Sequence, residues 1–269
     1  MHNWRLINSG FQTGAMNMAL DEALLHSVAN GESLPVLRFY RWQPATVTLG
    51  YAQSVTTDLD LDICRQAGLD VVRRSTGGRA VLHDHEVTYA VIAPLNAGRF
   101  GNSVLDCYRV ISKVLQETLR QLGLPAQLVP GKPRDGHKNA TKAVCFTAPS
   151  QYELLIDGCK VAGSAQKRHG QAFLQHGSIP IEMDLELLGK ALKIGTTSAT
   201  DDSLSAVGWL NHWSETPLTI GGVETALAEV FAEQLQVEWV DSEPTVKESR
   251  EAELLCAEKF ACSEWNLKR

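Results

Sequence analysis

The chain has 269 residues, enough to bury a sizeable core without metal or disulfide staples. Hydrophobic residues make up 44% and charged residues 21%, which excludes a disordered tail, a fibrous repeat and a coiled coil. With 25 Lys+Arg against 31 Asp+Glu the net charge is −6, which argues against a dedicated nucleic-acid binder.

At the N-terminus, MHNWRLINSG lacks the basic-then-apolar pattern of a secretory leader, and no window holds the ~18 consecutive apolar residues of a membrane span. The six cysteines (Cys64, Cys107, Cys145, Cys159, Cys256, Cys262) are scattered without a CxxC pair, as expected of reduced thiols in a cytoplasmic protein. Residues 15–29 carry Met16, Leu20, Ala23 and Leu24 at helical spacing. Short strands are expected at 36–40 and 46–50, split by a turn at Pro44, then a helix over 59–67 stopped by Gly68. A strand-rich block follows at 70–75, 79–83 and 87–93, with Gly77-Gly78 as the break. The helix over 103–122 has a capping-box start at Ser103 and Asp106 and a stop at Gly123 and Pro125.

Residues 130–142, PGKPRDGHKNATK, form a polar surface loop whose basic side chains are solvated or dock an acidic partner. Asp157-Gly158 between two β-prone runs predicts a type I′ hairpin within 151–166. Its two-residue turn sets Ile156 opposite Cys159 and Leu155 opposite Lys160. Alternation then puts Lys160, Ala162 and Ser164 on one face, with Cys159 and Val161 on the other. After a strand over 172–181, the remainder is expected to be helical at 184–192, 223–235 and 246–259.

Strands that follow one another by short turns point to an α+β (mixed α/β) fold with mixed or antiparallel sheets, rather than a doubly wound parallel sheet. No linker divides the sequence. The expectation is a single domain over 1–269 with a helical C-terminal segment from about 184 to 269.

There is no phosphate loop of the GxxxxGK[ST] kind, no GxGxxG after a strand, no HExxH and no GxSxG. His83-Asp84-His85 would place two histidines on one strand face, but nothing nearby completes a tetrahedral metal set, so a structural or substrate-positioning histidine is expected. The run Arg73 to Asp84, RRSTGGRAVLHD, sets two glycines between strands, where backbone can approach a ligand closely. The plain alternative is a hairpin with solvated arginines. Lys160, between apolar neighbours, must reach solvent or occupy a pocket, where a desolvated amine accepts a proton more readily than usual. A cysteine beside it gains thiolate character, although a buried inert thiol is the commoner fate of a cysteine.

RRSTGGRAVLHD, CFTAPSQYEL, GCKVAGSAQKR and LQHGSI, in that order, resemble the biotin/lipoate protein ligase-like superfamily, and within it the cysteine-dependent octanoyltransferase branch. NMALDEALL, RFYRWQPATVTLGY and the C-terminal SEWNLKR extend the resemblance over nearly the whole chain. It implies Cys145 as nucleophile, Lys160 as its partner, and Arg74, Thr76, Gly77, Gly78 and His83 as the acyl-binding motif. By the parity argument Cys159 faces away and is not the nucleophile. The implied donor is octanoyl-acyl carrier protein, and the implied acceptor a lysine of a lipoyl-domain protein such as glycine-cleavage H protein. No cofactor, metal, nucleic acid or membrane is called for. Arg79 stands where lipoate ligases carry glycine, and His85-Glu86 where they carry Gly-Asn, which weighs against the alternative of ATP-dependent lipoate ligation. A lipoyl or octanoyl amidotransferase, using the same cysteine with another donor, and a non-catalytic binding module are the remaining alternatives.

Overall fold

The computed structural model describes residues 2–95, 97, 100–101, 103–130, 152–194 and 204–268. Its central element is a six-stranded mixed sheet. In chain order its strands are β1 (His2–Gln12), β2 (Val36–Trp42), β6 (Glu86–Pro94), β10 (Gly163–His169), β11 (Ala172–Pro180) and β12 (Val237–Asp241), arranged β10-β11-β6-β2-β1-β12. β1 runs parallel to both β2 and β12, and the other pairings are antiparallel. Period-2 alternation sends side chains to a core on each face. Leu37, Phe39, Val87, Tyr89, Val91, Phe173 and Ile179 join one core with α4 (Val104–Gln121) and α6 (Ile220–Leu235). Val36, Tyr40, Ala90, Ile92 and Leu174 join the other with α1 (Gly14–Ala29). Both faces are covered, so these strands read as continuous apolar runs.

A three-stranded sheet, β4 (Asp70–Arg73), β3 (Thr46–Leu49) and β5 (Val81–His83), carries the glycine turn between β4 and β5. Against it pack the short helices α2 (Val55–Asp58), α3 (Leu61–Gln66) and α5 (Leu185–Ala191). A second three-stranded sheet joins β7 (Gln127–Pro130), β8 (Tyr152–Ile156) and β9 (Cys159–Lys160). The chain ends in α7 (Val246–Leu255), a π-helical turn over Cys256–Phe260, and α8 (Ser263–Asn266).

The mixed α/β architecture is the expected one. Ser103 caps α4 reciprocally with Asp106, as its sequence predicts. Asp157 and Gly158 hold φ of 49° and 83°, the type I′ signature, with the expected pairing Leu155↔Lys160 and Ile156↔Cys159.

Several expectations are corrected. β1 lies outside every element expected from the sequence, and β12 interrupts the segment expected to be helical from about 184 to 269. β9 ends at Lys160 and β10 begins in a different sheet at Gly163, so alternation does not run through. Val161, Ala162 and Gly163 are all buried, and Lys160 sits where the chain crosses between sheets. β5 stops at His83, leaving His85 exposed in the following turn, so the two histidines share no strand face. Among the described residues no helix is long and apolar enough to cross a membrane.

Candidate active site

Arg74 follows β4 and is buried, and its guanidinium is the hub of the glycine turn. Nη1 donates to the Thr48 carbonyl (3.0 Å) and hydroxyl (2.6 Å), Nη2 to the carbonyls of Gly77 (3.0 Å) and Arg79 (2.9 Å), and Nε to Thr76 Oγ1 (3.4 Å). An arginine has five N–H donors, and here all five meet protein acceptors. Arg74 therefore holds the turn, instead of presenting a bare guanidinium to a ligand. The Tyr51 N–H donates to the Thr76 carbonyl at 2.9 Å, so the turn's carbonyls face the protein. Among the described residues the N–H groups of Gly77 and Gly78 have no protein acceptor, and both glycines are exposed.

Two histidines reach this hub through its threonines. His83 at the end of β5 meets Thr48 Oγ1 through Nε2 (2.8 Å) and Glu86 Oε1 through Nδ1 (2.7 Å). Glu86 also accepts from Thr88 and, at 2.5 Å, from Ser178. Trp42 stacks on the His83 ring with centroids 4.2 Å apart. On β11, His176 meets Thr76 Oγ1 through Nε2 (2.8 Å) and Asp21 Oδ2 through Nδ1 (2.9 Å). Asp21 accepts as well from Arg38 at 2.6 Å and from the Tyr40 hydroxyl at 3.0 Å. Burial pushes the Asp21 carboxyl up, but the Arg38 charge and the His176 hydrogen bond outweigh it and hold it below the usual range. Burial is also what holds His176 below the ordinary imidazole value.

One donor–acceptor assignment satisfies the whole relay. Arginine only donates, so both threonine oxygens accept from Arg74 and turn their protons to the histidine Nε2 atoms. The opposite ring N–H groups then face Asp21 and Glu86.

Beside the relay lies a narrow cleft, with about 30 Å³ of free space, bounded by Met18, Tyr40, Trp42, Val81, His83 and His176. Arg74 and Gly163 also border it. Lys160, three residues before Gly163, is 5% exposed. Its backbone is clamped by the carbonyl of Ala206 (2.8 Å) and the N–H of Gly208 (3.0 Å), and its Nζ donates to Glu153 Oε1 at 3.3 Å. Cys159 is half-buried and its thiol donates to the Ser205 carbonyl at 3.2 Å. Cys145 and the basic loop 132–142 lie outside the described residues. Among the described residues no cluster of His, Cys, Asp and Glu is set to hold a metal.

Residues 13–232 match the Lipoyl protein ligase A/B catalytic domain. The chain belongs to that family. It is 40% identical to octanoyltransferase LipM of Lysinibacillus sphaericus over 277 residues, covering 100% of both chains. To octanoyltransferase LipM of Staphylococcus aureus it is 39% identical, covering 99% of each. Among solved structures it is similar to protein Ta0514 of T. acidophilum with bound lipoic acid, at 27% identity and TM-score 0.83 over 100% of both chains. A lipoate-protein ligase A bound with ATP matches at 27% identity and TM-score 0.83 over 99% of each.

Within this family's scaffold, the structure gathers Arg74, Thr76, Gly77, Gly78 and His83 around one turn. The sequence reading missed Thr48, Asp21, Glu86 and His176, which complete the relay. LQHGSI was noticed as a motif, but the contact between His176 and Thr76 joins residues 100 positions apart, and local pattern carries no signal for it.

Proposed function

We propose that this site transfers an octanoyl group through a cysteine thioester. The protein is an octanoyltransferase of lipoate biosynthesis, and the reading concerns how its residues carry that reaction. The Cys145 thiolate attacks the carbonyl of an octanoyl thioester on acyl carrier protein, a carbon–sulfur bond forms, and the carrier thiol leaves. The ε-amine of a lysine on a lipoyl-domain protein, such as glycine-cleavage H protein, then attacks the acyl-enzyme. An amide forms, the amine proton is lost, and the Cys145 thiol is regenerated. A thioester is already activated, so the reaction needs no adenylation.

The observation that carries the reading is Lys160, buried beside a cleft-lining strand in a chain of full-length kinship to octanoyltransferases. A buried amine in this position, with its backbone clamped on both sides, supports a role for Lys160 at the head of the acyl chain. The cleft walls of Met18, Tyr40, Trp42 and Val81 support entry of the tail here. At about 30 Å³ the cleft must widen to take eight carbons, and burying about six methylenes contributes about 5 kcal/mol toward that. The amide groups of Gly77 and Gly78 serve the acyl carbonyl, with Arg74, Thr76 and His83 maintaining the turn that presents them. We read residues 1–269 as one catalytic domain, since α7 packs on α1 and α8 on β4. A cytoplasmic setting fits a nucleophilic thiol that must stay reduced.

The test is intact mass after incubation with octanoyl carrier and no acceptor. One octanoyl mass is expected, removable by hydroxylamine, absent in Cys145→Ala and retained in Cys159→Ala. An adduct mapping to Cys159, or strict dependence on ATP with free octanoate, overturns the reading in favour of another nucleophile or of ligation.

A further inference from the structure

His176 stands apart from the motif residues in sequence, yet it borders the cleft and touches the glycine turn. Its Nδ1 is committed to Asp21, a carboxylate 1% exposed whose burial is tolerable only because it is fully hydrogen-bonded. Its Nε2 meets the hydroxyl of Thr76, a side chain 1% exposed, and not a backbone carbonyl or solvent. A residue that only filled space here would need no acceptor at that atom. The acceptor matters because Arg74 requires the other side of the same oxygen. Were the Thr76 proton turned toward Arg74, two donors would face each other and the hub would lose a partner.

We propose that His176 is a positioning residue for acyl transfer: fixed by Asp21, it accepts a hydrogen bond from the Thr76 hydroxyl, turns the Thr76 lone pairs to Arg74, and so holds the Gly77-Gly78 turn in its working shape. Arg74 draws the carbonyls of Gly77 and Arg79 inward, and that inward pull is what leaves the glycine amides facing out. The catalytic part of the proposal rests on the octanoyl-transfer reading, whereas the effect on the turn does not.

The two parts call for two measurements. Thr76→Val keeps the shape and removes the hydroxyl, Thr76→Ser restores it, and His176→Asn keeps a donor toward Asp21 while withdrawing the acceptor from Thr76. Deuterium uptake over residues 74–81 is expected to quicken in Thr76→Val and His176→Asn, and to return toward the wild-type rate in Thr76→Ser. This readout needs no substrate, so it decides the positioning role even if the wild type accepts no octanoyl group, an outcome that sinks the reaction assignment alone.

Single-turnover acylation from octanoyl carrier is expected to fall about tenfold in each of Thr76→Val and His176→Asn, with most of the loss recovered in Thr76→Ser. The double variant is expected to fall about tenfold and not about a hundredfold, because both residues act through one bond. A folded Thr76→Val with wild-type exchange over the turn, or losses that multiply in the double variant, overturns the proposal. Should His176→Asn fail to fold, the Val and Ser variants of Thr76 decide it by themselves.

Discussion

Trp265 and Arg73 bond reciprocally across most of the chain's length: the indole N–H donates to the Arg73 carbonyl at 2.8 Å, and Arg73 Nε donates to the Trp265 carbonyl at 3.2 Å. Asn266 adds a third link by accepting from the Arg73 N–H at 2.8 Å. Arg73 Nη1 meanwhile reaches the carbonyls of Gly50 (2.8 Å) and Gln53 (2.7 Å). The last helix, α8, is thus fastened to the residue that immediately precedes Arg74. Geometry at the C-terminus and at the glycine turn is therefore coupled through one strand end.

Trp265→Ala is expected to slow acylation although Trp265 lines no part of the cleft. Losing a half-buried indole and its hydrogen bond to the Arg73 carbonyl costs about 2–4 kcal/mol, or a drop in Tm of about 5–10 °C for a chain of this size. Thermal melts and single-turnover acylation, compared with Trp265→Phe, check it. A variant that melts lower yet acylates at the wild-type rate would show that α8 supports the fold alone.

Replacing Arg74 by lysine tests whether its charge or its fork matters. A lysine ammonium has three donors on a flexible stem and cannot serve Thr48, Thr76, Gly77 and Arg79 together. Arg74→Lys is expected to lower the acylation rate constant by at least about tenfold and to loosen the turn in hydrogen exchange. If the effect falls only on the apparent KM for octanoyl carrier, with unchanged exchange, Arg74 contacts the substrate directly.

What the sequence made legible was local. Ser103 with Asp106, and Asp157 with Gly158, are short-range devices whose outcome depends on neighbours within a few residues, and both formed as expected. β1 escaped because its register shifts between Asn8 and Phe11 around Gly10, at φ +61°, which breaks the period-2 pattern that marks a strand. β12 escaped because it is short, half-exposed and at the sheet edge. In α1 the apolar spacing was readable, but nothing local marks Asp21 and Glu22 as buried. They are buried because Arg38, Tyr40 and His176 reach Asp21, and Lys167 and Lys259 reach Glu22, from distant strands and the C-terminus. Those partners are a property of the tertiary fold.

Acid should weaken the protein through Glu248. Its carboxylate, 1% exposed, receives Arg5 Nη1 at 2.7 Å and Nη2 at 3.0 Å. Burial pushes this carboxyl up, but the Arg5 hydrogen bonds, the Thr245 N–H and the Arg5 charge together hold it below the usual range. A carboxyl depressed in the folded state stabilises fully above its unfolded value of ~4.3 and loses that contribution as pH falls through the folded value. Glu248→Gln is expected to cost about 3–5 kcal/mol at pH 7, since it leaves Arg5 buried without its counter-charge. Urea midpoints at pH 7 and pH 3 check the sign: the gap between variant and wild type should narrow at the lower pH. A constant gap would show that Glu248 matters through packing.

The contrast between two glycines separates the shape of the turn from its access to ligand. A Cβ at Gly50 would overlap the Gly78 carbonyl oxygen and stand 2.9 Å from its carbon, so the strand end and the turn touch backbone to backbone. A Cβ at Gly77 meets nothing within 4 Å, and its backbone lies outside the left-handed region, so alanine fits the folded chain. Gly50→Ala must therefore push the turn away from β3, and both Tm and acylation rate are expected to fall. Gly77→Ala is expected to melt within about 2 °C of the wild type, because a surface methyl that touches nothing changes stability by no more than about 0.5 kcal/mol. Its acylation should still suffer, chiefly as a higher apparent KM for octanoyl carrier, since the new methyl stands beside the amide proposed to meet the acyl carbonyl. Melting curves and acylation kinetics on the two variants check both halves. Wild-type kinetics in Gly77→Ala would mean that the acyl carbonyl does not approach this side of the turn.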